Sequence, residues 1–178
     1  GGKYNNKPVG SCEYSDICVF SLHPVKIITT GEGGLATTNK KNLAQKMYDL
    51  RSHGITKEVS RFKRKSEGPW AYEQQSLGFN YRMTDFQAAL GISQLKRLEK
   101  IISERNKQYK IYEKLLTDHP VHLLKIMKGV QSSVHLAIIR LEDNKAKSHK
   151  EVFQFLRKSG IGVQLHYSPV HLQPYFRD

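Results

Sequence analysis

Changes in the pattern of apolar and polar positions divide this chain into elements. "DICVFSL" at 16–22 is apolar, rich in β-formers and bounded downstream by Pro24, which predicts a strand. "GEGG" at 31–34 turns the chain, and "LATT" at 35–38 predicts a returning strand. From Asn42 to Arg51 the apolar Leu43, Met47 and Leu50 recur at helical spacing, and Gly54 stands where a C-cap glycine is expected. Residues 55–83 hold no sustained period and carry much Gly, Pro and charge, a longer loop than a compact domain keeps without a use.

At Thr84 the pattern changes again. "TDFQ" is a capping box, with Thr84 as N-cap and Gln87 three residues on, and it opens a helix that Gly91 is expected to kink or interrupt. Leu95, Leu98, Ile102, Tyr109, Tyr112 and Leu116 then follow steps of three, four or seven, predicting one helix of about 33 Å that connects two lobes. Beyond "TDHP" the near-continuous apolar "SVHLAIIRL" predicts a strand. The capping box "SHKE" at Ser148–Glu151 opens a helix closed by Gly160, and "GVQLHY" predicts another strand. This β-α-β order gives an α/β fold with a domain over 1–117 and a second, smaller α/β domain over 118–178.

Composition narrows the picture. The 178 residues are 38% hydrophobic, which suits a thin core or a piece of a larger protein. A net charge of +13 favours an anionic partner, whereas the densest basic cluster, "RFKRKSE" at 61–67, reads as a solvated loop. Cys12 and Cys18 have no second pair, so neither a zinc site nor a disulfide framework is indicated, and reduced thiols place the chain in the cytoplasm. No apolar run approaches the ~20 residues of a membrane span, and "GGKYNNKPVG" has no signal core. The missing initiator methionine suggests a chain that begins partway through something, and its small domain is expected to be cut at Asp178.

Lys26 is the first chemical candidate. One lysine among 29 basic residues is ordinarily a surface charge. Here Ser21, five residues earlier, offers a hydroxyl to a phosphate, and His23 and Pro24 stiffen the approach. The strand can hold the amine where it loses its proton more easily, as Schiff-base chemistry needs. "GEGG" is a tight turn; it lacks the Gly-Lys-Ser/Thr ending of one phosphate loop and the further glycine of the other. His166 and His171 in "HYSPVHLQPYF" form a rigid segment without the carboxylate or cysteine that would complete a metal set, and Asp16 reads as a turn residue.

"CVFSLHPVKIITTGEGGLATT", "RSHGI", "LGFNYRMTDFQAALGISQL" and "HYSPVHLQPYF", in this order, resemble the pyridoxal-phosphate-dependent sugar-nucleotide aminotransferases of the DegT/StrS type across essentially the whole chain. The resemblance implies a fragment of an aspartate-aminotransferase-like, fold type I transferase: part of the large domain plus a small C-terminal one. It places Lys26 where the family lysine bonds covalently to pyridoxal 5'-phosphate, Ser21 at the cofactor phosphate, and Asn80 where an asparagine reaches the phosphate held by the other subunit of a homodimer. Arg82, Tyr167 and His171 fall near the sugar-nucleotide pocket, and Arg61, Lys63, Arg64 and Lys65 are positioned to meet a nucleotide diphosphate. No metal, nucleic acid or membrane is implied.

The implied reaction moves an amino group, usually from glutamate, to a keto sugar nucleotide. The wording of "GVQLHYSPVHLQPYF" is most similar to enzymes that aminate C4 of a UDP-linked 4-keto-6-deoxy-N-acetylhexosamine for pseudaminic acid, with other C4 and C3 aminotransferases as alternatives. The family aspartate that pairs with the pyridinium nitrogen cannot be located, so the 178 residues alone are expected to be inactive. Two rival readings are a basic nucleic-acid or acidic-surface binding module, which would show a basic stripe with exposed aromatics, and a scaffold relative that lost catalysis.

Overall fold

The computed structural model describes residues 1–142 and 147–177; the sequence expectation about Asp178 lies outside them. Contacts divide the chain into two units, one of Gly1–Tyr109 with Ile126–Leu136, the other of Lys110–Lys125 with the described residues from Ala137 onward.

The first unit opens with β1 (Lys3–Tyr4) and β2 (Lys7–Pro8), an antiparallel hairpin joined by Asn5 and Asn6. Both asparagines have positive φ, 48° and 63°, the backbone that a two-residue turn between right-twisted strands requires and that asparagine tolerates. The pattern reading passed over this hairpin because its strands are two residues long. β3 (Cys18–Ser21) and β4 (Gly34–Thr37) pair antiparallel from Cys18↔Thr37 to Ser21↔Gly34, as "DICVFSL" and "LATT" predict. The segment between them carries Lys26.

α1 (Lys41–Arg51) ends in a left-handed step at His53, and the Gly54 N–H reaches back to the Asp49 carbonyl at 2.7 Å. β5 (Ile55–Thr56) and β6 (Glu73–Gln74) pair across the base of a loop that is otherwise irregular apart from a 3-10 turn at Val59–Arg61. α2 (Asp85–Leu95) starts on the predicted capping box, with Thr84 and Gln87 bonding reciprocally.

Gly91 does not break α2. It is buried, and a Cβ there would stand 2.9 Å from Thr30 Cγ2, so the glycine serves close packing. The interruption falls later, where Arg97 bonds to Gln94 at 3.0 Å in a tighter turn and α3 (Leu98–Leu115) begins. The expected single helix is therefore two. Apolar spacing continues through a three-residue step from Leu95 to Leu98 whether the backbone is unbroken or turns, so periodicity cannot separate the cases.

Ile102 and Tyr109 on α3 are buried, and Arg105 donates to the carbonyls of Val134 and His135, both at 3.2 Å. These bonds hold the 126–136 segment, with β8 (Val130–Gln131) added beside β1. The core is thin, as the composition suggested: Leu22, Ile102, Tyr109 and Val134 are its buried apolar members among the described residues.

In the second unit β7 (Val121–Leu123), which the sequence pattern did not single out, pairs antiparallel with β9 (Ile139–Leu141). Only the last three residues of "SVHLAIIRL" are strand. α4 (His149–Lys158) follows the predicted capping box at Ser148 and Glu151, and Gly160 after it has φ 79°. "GVQLHY" is extended without a ladder: no strand pairs with it among the described residues, and alternation alone cannot supply one. No helix among the described residues is long and apolar enough to cross a membrane.

Candidate active site

β3 and β4 converge on the base of the Lys26 loop. Leu22, buried, donates its N–H to Gly33 at 2.9 Å and accepts from the Thr30 N–H at 3.0 Å and the Thr29 hydroxyl at 2.9 Å. The neck of the loop is therefore closed by backbone bonds around an apolar side chain. Inside it, the Lys26 N–H bonds to the His23 carbonyl at 3.0 Å, a turn that Pro24 favours through its fixed φ.

α2 holds the loop from outside. Gln94 Oε1 accepts the Thr29 N–H at 3.3 Å, Gln87 donates from Nε2 to the Glu32 carbonyl at 3.0 Å, and Gly91 lies against Thr30. Gln87 thus caps its own helix and fixes the loop. Sequence reasoning recognised the first role and missed the second, because the partners lie 55 and 65 residues apart.

The Lys26 side chain is half-buried, and no hydrogen bond or ion pair engages its amine among the described residues. Ser21 ends β3 with an exposed hydroxyl that accepts the His23 N–H at 3.4 Å. His23, also missed as a site residue, accepts the Val25 N–H on Nδ1 at 3.4 Å and turns Nε2 toward Glu32 at 3.7 Å. An uncommitted amine within the stapled loop thus follows, five residues on, an exposed hydroxyl at the end of β3.

Asn80 is placed by the end of α1. Phe79 donates to Leu50 at 2.7 Å and accepts from His53 at 2.8 Å, while Tyr81 donates to Arg51 at 2.9 Å. These bonds satisfy carbonyls that a helix C-terminus leaves without partners. The Phe79 and Tyr81 rings stack at 4.8 Å on one side of the extended segment, so alternation puts exposed Asn80 on the other. Gly78 is needed here, since a Cβ would fall on the backbone of Gly54 and His53. Arg82 follows, exposed.

Arg61, one of the basic loop residues, faces inward to Asp49 and Thr56. The guanidinium on Asp49 holds that carboxyl below its ordinary range, with Gln45 assisting. Glu73, buried, is likewise held low by the Lys63 N–H at 2.7 Å, and by Arg64. Tyr167 and His171 belong to the second unit, where both are exposed and His171 sits in the 3-10 turn Val170–Leu172.

The fold is that of the fold type I, pyridoxal-phosphate-dependent transferases, as the sugar aminotransferase structures that superimpose on it show. The structure of PseC from Helicobacter pylori, an aminotransferase of pseudaminic acid biosynthesis, superimposes with a TM-score of 0.86 at 33% identity, over 99% of this chain and 45% of that one. A Streptococcus pneumoniae protein assigned as a sugar aminotransferase, solved in its PLP form, gives 0.85 at 30% identity, over 99% and 44%.

The DegT/DnrJ/EryC1/StrS aminotransferase family model matches residues 1–178, and the chain belongs to that family. It is 39% identical over 178 residues to a UDP-4-amino-4,6-dideoxy-N-acetyl-beta-L-altrosamine transaminase of Campylobacter jejuni, across 99% of this chain and 44% of that protein. The chain therefore spans less than half the length of the relatives it matches. Pyridoxal phosphate is the cofactor that the family and the PLP-form and PMP-form structures indicate. The residues present suit it at two points, the Lys26 amine without a competing partner and the exposed Ser21 hydroxyl.

Proposed function

We propose that this chain is part of an aminotransferase that moves an amino group from glutamate to the C4 ketone of a UDP-linked 4-keto-6-deoxy-N-acetylhexosamine. The observation that carries the reading is the half-buried Lys26 amine, uncommitted on a loop fixed from both sides, in a chain 39% identical to a transaminase of that class. Pyridoxal phosphate, when bound, supplies the electron sink that makes the hydrogen α to an amino group acidic. Lys26 holds the cofactor covalently between turnovers. Its freed amine takes the proton from the donor's α-carbon and later returns one to the carbon that receives the amine.

Ser21 donates its hydroxyl to the cofactor phosphate, and Asn80 serves the phosphate held by the partner protomer of a homodimer. Residues 1–117 form the cofactor-bearing domain and 118–178 the small one; Arg82 in the first, and separately Tyr167 and His171 in the second, are assigned to the sugar nucleotide. The two free cysteines, Cys12 and Cys18, suit a cytoplasmic enzyme. None of the residues assigned here pairs with the ring nitrogen, and the 178 residues alone are expected to be inactive.

Borohydride reduction of the protein incubated with pyridoxal phosphate should fix the cofactor mass on the peptide containing Lys26, and Lys26→Ala should abolish the label. Labelling that persists in Lys26→Ala would remove the central assignment. Amination of a C3 ketone in preference to C4 by the complete enzyme would redirect the substrate to the alternative within the family.

A further inference from the structure

Within the 55–83 loop lies a cavity of about 160 Å³, lined among others by Phe62, Arg64, Lys65, Glu67, Trp70 and Tyr72. Three features make it a built wall. Trp70 packs directly over Gly68, where a Cβ would stand 2.6 Å from the indole. Buried Glu73 ties both sides of the loop together through the Lys63 N–H, Arg64 Nε at 3.4 Å and Gln75. β5 and β6 close its base.

The volume decides what fits. It is below the ~300–1,000 Å³ of a site that encloses a drug-sized ligand, so it takes part of a nucleotide sugar and leaves the rest outside. Trp70 is 74% exposed and Tyr72 60%, which makes their faces available for stacking. Arg64, exposed apart from its bond to Glu73, and Lys65 set positive charge beside the rings. An aromatic slot with a basic lip recognises a planar heterocycle that carries an anion. Glu67 and Ser66 offer acceptors to a ring N–H.

Resting on the sugar-nucleotide reading, we infer that this cavity is the base-recognition pocket: a pyrimidine ring stacks on Trp70 while its diphosphate lies along Arg64 and Lys65.

Trp70 is the single tryptophan of the sequence, so its emission reports this pocket alone. Titration with UDP should quench it saturably, uridine more weakly. Pyrophosphate should compete with UDP while leaving emission unchanged. By calorimetry, Trp70→Ala should weaken UDP about 5- to 150-fold, the range of one lost stacking contact. Should that variant fail to fold, Lys65→Ala serves instead, lowering affinity for UDP and leaving that for uridine unchanged.

UDP binding by calorimetry with Trp70 emission unmoved, equal affinity for UDP and pyrophosphate, or no UDP binding would each overturn the pocket. Amination of the keto sugar is scored separately on the complete enzyme. Turnover with a silent Trp70 defeats only this inference, whereas UDP on Trp70 without amination of any keto sugar nucleotide defeats the transaminase reading.

Discussion

The Lys26 loop and the 161–177 segment were both singled out by motif, and they are held in opposite ways. The first is fixed by bonds from residues 55 and 65 positions away, around a buried leucine. The second is shaped by bonds that reach no further than five residues among the described residues, such as Ile161 to Leu156 and Leu172 to Pro169. Its Leu165, Tyr167, Val170 and Tyr175 are all well exposed. Under the proposed function, the contrast separates two requirements. A nucleophile must be placed to a fraction of an ångström, which needs a closed and clamped loop. Side chains that follow a variable substrate do better on a segment whose shape is local.

The contrast breaks most severely where the first unit cannot yield. Gly78→Ala should cost about 2–3 kcal/mol, since the methyl meets backbone at Gly54 and His53, and lower Tm by roughly 4–12 °C. Thermal melts check this. Acid is the next lever. Asp49 and Glu73 are held below the ordinary carboxylate range, so their contribution is complete above about pH 5 and is lost as pH falls through their lowered values. Melts from pH 7 to 2.5 should show a plateau and then a fall. Hydrogen exchange should show amides 53–81 losing protection as the pH falls through that range.

Smaller changes sharpen the comparison. Thr84→Ala removes the cap of the helix that clamps the Lys26 loop and should cost about 1 kcal/mol, with exchange rising in α2 and at Thr29. Smallest of all, Tyr167→Phe and His171→Ala should leave stability within about 0.5 kcal/mol. A larger loss in either would show that the segment carries long-range packing.

How much of this was legible in the sequence follows the same division. Both capping boxes, at Thr84 and Ser148, were readable because a cap is a local bond between residues three apart. β3 and β4 were readable from β-formers bounded by a glycine turn. "GVQLHY" misled because alternation describes a face and a ladder requires a partner elsewhere in the chain. The break at Lys96–Arg97 was invisible to a period that runs through it. For the proposed site, motifs singled out Lys26, Ser21 and Asn80, while Gln94, Gly91 and Leu22, which hold the lysine loop, carry no signature beyond being apolar, small or polar in the right place.

The bonds joining residues 50–54 to 74–81 have a further consequence for how such a protein diversifies. Because Leu50, His53 and Gly54 pair with Gln74, Gln75 and Phe79, everything between them hangs from a neck that is already shut. Lengthening an open loop twofold adds only about 0.6 kcal/mol of closure entropy, and here the clasp does not depend on loop length. Beyond the anchors Arg61, Lys63 and Arg64, which bond to Asp49 and Glu73, residues 65–72 form an exchangeable cassette: changes there can alter what the loop recognises, while Asn80 stays registered on the helix end.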